Sequence, residues 1–153
     1  MMIGVVLVAH GAVAQAYFDV VVSISGAQEA FKVLAISEID NMEDKRNALM
    51  HVVDEVNQGK GVVVLTDLFG GTPSNLAISM LGLKPIEVIA GFNLPMILKL
   101  LTVRKKDDLS TAAQKAEEAG QKHIRIASEF LVSNGAAVTP QRSKMAKIIG
   151  YDH

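Results

Sequence analysis

The sequence predicts an α/β fold, a doubly wound and mostly parallel sheet with helices on both of its faces. Short, β-branched and continuously apolar segments recur along the chain, which is the pattern of strands buried on both faces. Segments with helical apolar spacing alternate with these strands four times. The length of 153 residues, half of them hydrophobic and a fifth charged, suits one domain with one core and excludes a disordered chain.

Four apolar runs are predicted as the parallel strands, and each is followed by a break and then by helical periodicity. The strands span residues 3–9, 31–36, 62–66 and 86–90. The helices span residues 12–24, 41–58, 72–81, 94 onward and 109–119. His10-Gly11 breaks the first run, and Gly26 and Gly59 end the first two helices, since glycine commonly follows the last helical turn.

Three later boundaries depend on particular residues. Thr72 is predicted as the N-cap of the third helix, with Pro73 as its first helical residue. Gly120 is predicted to stop the last helix. The alternation in Ile124-Arg125-Ile126 predicts a further strand with one wet face at the edge of the sheet.

Composition and order along the chain exclude several classes of protein. Fifteen Lys and Arg against sixteen Asp and Glu leave no basic surplus for nucleic acid, and the absence of cysteine excludes disulfides and thiolate metal sites. No His and carboxylate spacing matches a metal site, no cofactor is expected, and no apolar run predicts membrane insertion or a signal peptide. We expect a cytoplasmic protein with one domain over residues 1–133 and a flexible C-terminal tail over residues 134–153.

Two chemically active side chains directly follow predicted strands. His10 follows the first strand and Asp67 follows the third. Because ligands bind beyond the carboxyl ends of the strands in such sheets, the two share one crevice if their strands are neighbours. A carboxylate that accepts a hydrogen bond from one imidazole nitrogen leaves the other nitrogen free to attack and stabilises the positive charge that develops. His10 and Asp67 are therefore the predicted catalytic residues.

The loop after Asp67 has the composition of a phosphate-binding loop. Gly70-Gly71-Thr72 offers backbone N–H groups without bulky side chains just before a helix begins, and Thr72 and Ser74 add hydroxyl donors. We predict Gly11, Gly70, Gly71, Thr72 and Ser74 as phosphate-binding residues. The chemistry indicated is phosphoryl transfer through a phosphohistidine on His10.

Three segments together resemble the IIA component of the mannose-type phosphoenolpyruvate:sugar phosphotransferase system. They are Val8-Ala9-His10-Gly11, T-D-L-F-G-G-T-P-S-N at residues 66–75 and A-G-F-N-L-P-M at residues 90–96. The similarity covers roughly residues 2–130. It implies a phosphotransferase in which His10 accepts phosphate from the phosphohistidine of the carrier protein HPr and passes it to a histidine of a IIB domain. Asp67 would orient the ring.

The resemblance also has implications for assembly. It implies four parallel strands plus one antiparallel edge strand that joins a homodimer interface, here near Ile124 to Ala127. One departure is that many relatives carry Thr-Trp where this chain has Leu68-Phe69, so a hydroxyl expected at position 68 is missing. Thr72 and Ser74 are the candidates to replace it.

Other functions stay open on the sequence alone. A free-standing regulatory module, whose His10 phosphorylation state is read by a partner protein, would use the same histidine. A receiver-like domain phosphorylated on Asp67 lacks the acidic pair expected after the first strand. A Ser-His-Asp hydrolase lacks a G-x-S-x-G elbow.

Overall fold

The computed structural model describes residues 1–135, and it confirms the doubly wound α/β architecture. The strands are β1 (Gly4–His10), β2 (Phe31–Ile36), β3 (Val62–Thr66) and β4 (Ile86–Ala90). The helices in the described part of the chain are α1 (Val13–Ser25), α2 (Met42–Val56), α3 (Thr72–Ile78), α4 (Leu94–Val103), α5 (Leu109–Lys122) and α6 (Ala127–Ser133). All four strands are parallel and form one sheet in the order β2-β1-β3-β4.

The chain divides into two compact units, residues 1–121 and residues 122–153. The first unit contains the whole sheet. The second is described as far as residue 135 and contains α6. The guanidinium of Arg125, which precedes this helix, lies 4.5 Å from the centre of the ring of Phe130, which is in the helix. The tail expected from residue 134 onward lies outside the described residues, apart from its first two.

The first unit has a core on each face of its sheet, as expected for strands that are apolar on both sides. On one face, α1, α4 and α5 cover the strands, and the buried residues are Ile3, Val5, Leu7, Ala9, Ala14, Val21, Phe31, Val63, Leu65, Phe92, Met96, Ile97, Leu100, Ala112 and Ala116. On the other face, α2 and α3 cover the strands, and the buried residues are Val6, Val8, Ile36, Leu49, Val53, Val56, Val62, Val64, Leu76, Ala77, Met80 and Ile86.

The strand order determines where the candidate residues meet. β1 lies in the middle of the sheet, with β2 on one side and β3 on the other. The chain winds outward in opposite directions from this pair, so a crevice opens beyond the carboxyl ends of β1 and β3. Val8 of β1 pairs with Thr66 of β3, so His10, the last residue of β1, and Asp67, the first residue after β3, lie at the same end of the sheet.

The predicted fifth strand is absent from the described residues. Residues 124–126 are irregular, and Ile126 precedes α6, a helix that the sequence pattern did not predict. A strand exists only through hydrogen bonds to a neighbour, and three alternating residues do not distinguish a strand from an extended lead into a helix.

Two predicted helix ends are also wrong. Gly120 lies inside α5, because it is a packing residue: a Cβ there would lie 2.8 Å from Met96 Cε and 3.3 Å from Asn93 Oδ1. The third helix ends at Ile78 rather than near Leu81, where the chain tightens into turns.

Arg104 closes the amino-terminal end of the sheet. Its side chain is only 2% exposed, and its guanidinium donates hydrogen bonds to Ile3 O (3.5 Å), Ala30 O (3.3 Å) and Gln28 Oε1 (3.1 Å). Burial lowers the pKa of this guanidinium, while the charge of Glu29 acts in the opposite direction. The arginine thus satisfies carbonyl groups from two segments that are distant in sequence.

We expect Arg104→Met to lower the free energy of unfolding by about 2 kcal/mol, because it removes the hydrogen bonds to the buried Ile3 carbonyl, to Ala30 O and to Gln28 Oε1, while relieving the cost of burying a charge. Urea denaturation followed by circular dichroism measures the change. Lys106→Met, at an exposed position close by, is the matched control and should change stability by less than about 0.5 kcal/mol. Equal effects of the two substitutions would contradict this role.

Candidate functional site

His10 and Asp67 are in direct contact at the crevice. His10 Nδ1 lies 2.9 Å from Asp67 Oδ2, and the same oxygen accepts a hydrogen bond from the His10 backbone N–H at 3.0 Å. The imidazole is 45% exposed, whereas the carboxylate is only 18% exposed. The strands of the two predicted residues are neighbours, and their side chains form one unit with the acid on the inside.

The contact with Asp67 assigns different tasks to the two ring nitrogens. A carboxylate accepts hydrogen bonds, so Nδ1 carries the proton and the neutral ring holds its lone pair on Nε2. The Nε2 edge lies along Gly71, where an added Cβ would be 3.0 Å from His10 Cε1 and 3.6 Å from Nε2. The free nitrogen therefore faces the predicted phosphate-binding loop.

The surroundings of Asp67 keep its carboxyl group ionised. Burial acts to raise its pKa, but the hydrogen bonds from the His10 backbone and ring, with the charge of the ring, outweigh burial and hold the pKa below its ordinary value of 3.8. A carboxylate that stays negative stabilises positive charge on a neighbouring imidazole.

The lowered pKa of Asp67 predicts an acid-dependent contribution to stability. A carboxylate with a lower pKa in the folded chain stabilises that chain above the unfolded value near 3.8 and loses this effect as the pH falls through the folded value. We expect Asp67→Asn to be less stable than the natural chain at about pH 7, and this difference to shrink at about pH 3. Urea midpoints at both pH values measure it, and a difference independent of pH would contradict the prediction.

The loop from Gly70 to Ser74 lies beside the imidazole, but its helix begins one residue earlier than predicted. Gly71 is the N-cap of α3, and Thr72 and Pro73 are its first two helical residues, so the prediction that Thr72 caps the helix is wrong. The Gly71 carbonyl accepts the first helical hydrogen bond, from the Asn75 N–H at 3.0 Å. As a result the Thr72 side chain is exposed and does not cap the helix.

Two of the predicted phosphate-binding residues have their polar groups turned toward the protein. The Gly11 backbone N–H donates to Ile36 O at 2.9 Å. Ser74 is fully buried, and its Oγ accepts a hydrogen bond from the Gly70 N–H at 3.4 Å. Gly11 and Ser74 therefore shape the two loops, whereas Gly71 is the loop residue that lies directly along the ring.

Thr66, which directly precedes Asp67, was not predicted as a site residue. Thr66 is fully buried and its Oγ1 has no hydrogen-bond partner. A signal was present, because a threonine closes a strand whose other residues are all aliphatic.

The geometry also bears on the alternative chemistries. Asp67 Oδ1 is buried and Oδ2 already accepts two hydrogen bonds from His10, which disfavours phosphorylation of this carboxylate as in a receiver domain. The burial of Ser74 removes it as a hydrolase nucleophile. Nowhere within residues 1–135 do three or more His, Cys, Asp or Glu side chains gather as metal ligands would. No helix in that part of the chain is both long and apolar enough to cross a membrane.

Comparisons with known proteins show which family the chain resembles. Residues 4–117 match the family described as "PTS system fructose IIA component". The chain is 31% identical over 130 residues to the mannose-specific EIIAB component of the phosphotransferase system (PTS) of Escherichia coli K12, covering 82% of this chain and 39% of that protein. It is 29% identical over 94 residues to the fructose-specific EIIA component of Bacillus subtilis, covering 61% of this chain and 62% of that protein.

A solved structure with the same fold extends the match. The phosphotransferase system component EIIA of Streptococcus agalactiae superposes with a TM-score of 0.77 at 28% identity, covering 84% of this chain and 99% of that one. The chain spans less than two thirds of the Bacillus protein, at 62% of its length, and 39% of the Escherichia protein. The family match nevertheless includes the crevice, the paired histidine and aspartate, and the glycine loop. The chain therefore belongs to the EIIA components of the mannose family of the phosphoenolpyruvate:sugar phosphotransferase system.

Proposed function

We propose that this protein is a cytoplasmic phosphoryl carrier that receives phosphate on His10 from a phosphorylated HPr-like protein and passes it to a histidine of a IIB domain. The single observation that carries the proposal is that the two nitrogens of the His10 ring have different surroundings. Nδ1 is held by Asp67 at 2.9 Å, and the remaining nitrogen, Nε2, lies open beside Gly71. This is the arrangement that a histidine nucleophile requires.

The transfer is balanced without any further reactant. The Nε2 lone pair attacks the phosphorus of the donor's phosphohistidine, the donor's P–N bond breaks, and its electron pair returns to the donor nitrogen. The proton on Nδ1 stays in place, and Asp67 stabilises the positive charge that develops on the ring. Transfer to the IIB histidine is the same reaction with His10 as the leaving nitrogen, so neither step needs a metal or cofactor.

The loop beside Nε2 would hold the phosphoryl group. Gly71 has no side chain to occupy the space next to the ring, and Thr72 offers an exposed hydroxyl and the first helical N–H, which has no acceptor within its own helix. Gly70, with φ of +83°, allows the turn that brings these groups to the ring. Gly70, Gly71 and Thr72 are thus the proposed phosphate-binding residues, and Gly11 and Ser74 support their loops.

Phosphorylation by a complete relay tests this function. We expect incubation with labelled phosphoenolpyruvate, the first relay enzyme and HPr to give an acid-labile, base-stable phosphoryl group on the full chain. His10→Ala should remove the label entirely. His51→Ala, at an exposed histidine on α2 that pairs with Glu55, is the matched control and should keep it. Label that survives His10→Ala would overturn the proposal.

We also propose that the protein works as a homodimer, as its family resemblance implies. Sedimentation velocity should then give twice the mass of one chain. A single species with the mass of one chain across the micromolar range would contradict the dimer and leave the phosphoryl chemistry of His10 unaffected.

A further inference from the structure

Two buried polar atoms without hydrogen-bond partners belong to consecutive residues at the site. Within residues 1–135, the buried side-chain nitrogen and oxygen atoms that lack a partner are Thr66 Oγ1, Asp67 Oδ1 and Arg104 Nε. Arg104 lies at the other end of the sheet, beside Ile3. The first two atoms are chemically complementary, because a hydroxyl donates and a carboxylate accepts. Unpaired polar atoms in a protein interior are uncommon and call for an explanation.

The position of Thr66 places its side chain on the same face of the sheet as His10. Val62 and Val64 of β3 and Val6 and Val8 of β1 pack in the same core cluster. Because side chains alternate along a strand, Thr66 lies on the same face as Val62 and Val64, and His10 lies on the same face as Val6 and Val8. That face is covered by α3, whose N-cap Gly71 lies along the imidazole.

The backbone of Thr66 is fixed more firmly than its hydroxyl. Its carbonyl oxygen accepts hydrogen bonds from the backbone N–H groups of Gly91 (2.8 Å) and Phe92 (3.2 Å), and its strand pairs on both sides. The hydroxyl proton turns about the Cβ–Oγ1 bond, whereas χ1 of a β-branched side chain is restricted.

Asp67 is held through one oxygen only. Oδ2 accepts both hydrogen bonds from His10, and Oδ1 accepts none. A carboxylate held at one oxygen keeps rotational freedom about its Cβ–Cγ bond. A second hydrogen bond at Oδ1 would fix its plane at the moment when positive charge develops on the ring.

We propose that Thr66 is a positioning residue, whose hydroxyl donates to Asp67 Oδ1 as His10 becomes phosphorylated and so holds the carboxylate against the ring. This inference rests on the proposed function of His10. The hydroxyl of Thr66 would then have a hydrogen-bond partner when His10 is phosphorylated, whereas it has none in the unphosphorylated chain. Thr66 acts through Asp67 and makes no contact with the phosphoryl group.

Phosphorylation of the full chain by phosphoramidate, a small donor that needs no protein partner, tests the inference. We expect Thr66→Val to lower the maximal rate constant about tenfold, the effect of losing one hydrogen bond to a charged group, with no change in the half-saturating donor concentration. Thr66→Ser, which retains the hydroxyl, should restore most of the rate. Thr102→Val removes an exposed hydroxyl on α4 that bonds to Lys99 O and should leave the rate unchanged.

Two further comparisons separate positioning from a merely structural role. In an Asp67→Ala background, Thr66→Val should cause no additional loss of rate, because its effect passes through the carboxylate. The unphosphorylated Thr66→Val chain should be as stable to urea as the natural one or more so, since the hydroxyl it removes is unpaired there.

A Thr66→Val chain that is phosphorylated at the natural rate overturns the inference, and so does a loss of rate that is equal in both backgrounds or is not restored by Thr66→Ser. A natural chain that phosphoramidate and the protein donor both fail to phosphorylate on His10 overturns the proposed function itself.

Discussion

Asp67→Asn is expected to slow phosphorylation of His10 by about 10²- to 10³-fold, without unfolding the chain. The amide carries no charge to stabilise the ring as phosphate is transferred. Its NH₂ group also donates to Nδ1 when it faces that atom, which moves the ring proton to Nε2 and removes the attacking lone pair. Rapid-quench measurement of phosphohistidine formation with the protein donor gives the rate.

The matched control applies the same change to an acid outside the site. Asp54 lies on α2 and forms an ion pair with Lys84 at 2.7 Å, without contact to His10. Asp54→Asn should leave the rate of phosphorylation within about twofold of the natural value. Similar losses for both substitutions would show that net charge matters, rather than the 2.9 Å contact between His10 and Asp67.

The second large effect is expected from Gly71→Ala. The backbone of Gly71 has φ of −76°, which any residue adopts, so the substitution causes no backbone strain. The new methyl group would lie 3.0 Å from His10 Cε1 and 3.6 Å from Nε2, in the space assigned to the phosphoryl group. We expect a loss of phosphorylation rate of about a hundredfold, since displacements of about 1 Å are costly in a transfer reaction.

Gly70→Ala, at the neighbouring residue, should affect stability rather than the rate of phosphorylation. At φ of +83° a Cβ is strained, yet it would meet no atom within 4 Å. We expect Gly70→Ala to cost about 1 kcal/mol in stability and to slow phosphorylation far less than Gly71→Ala does. Urea denaturation and the same quench assay separate the two effects. A larger rate loss at Gly70 would contradict the assignment of the space beside Nε2.

The sequence was sufficient to predict the sheet and the central pair of the site, for physical reasons that can be identified. Strands 62–66 and 3–9 are apolar on both faces, which requires a central position in a parallel sheet. Residues at the carboxyl ends of such strands meet at one edge, so the sequence predicted that His10 and Asp67 share a crevice if their strands are neighbours, and they are.

The features that the sequence did not predict depend on contacts that only the structure shows. The N-cap of α3 is Gly71, whose carbonyl accepts from the Asn75 N–H, whereas capping preferences favoured Thr72. Gly120 is buried against Met96 and resembled a helix stop because both roles use glycine. The unpaired hydroxyl of Thr66 is visible only when the hydrogen bonds around it are known.

Identification of the phosphorylated ring nitrogen tests the central claim most directly. The chain would be labelled with ¹⁵N-histidine, phosphorylated, and analysed by ³¹P and long-range ¹H–¹⁵N NMR. We predict a phosphorus–nitrogen bond to Nε2 of His10, with the proton retained on Nδ1 opposite Asp67. Phosphate on Nδ1, or an acyl phosphate on Asp67, would contradict the division of labour between the two nitrogens.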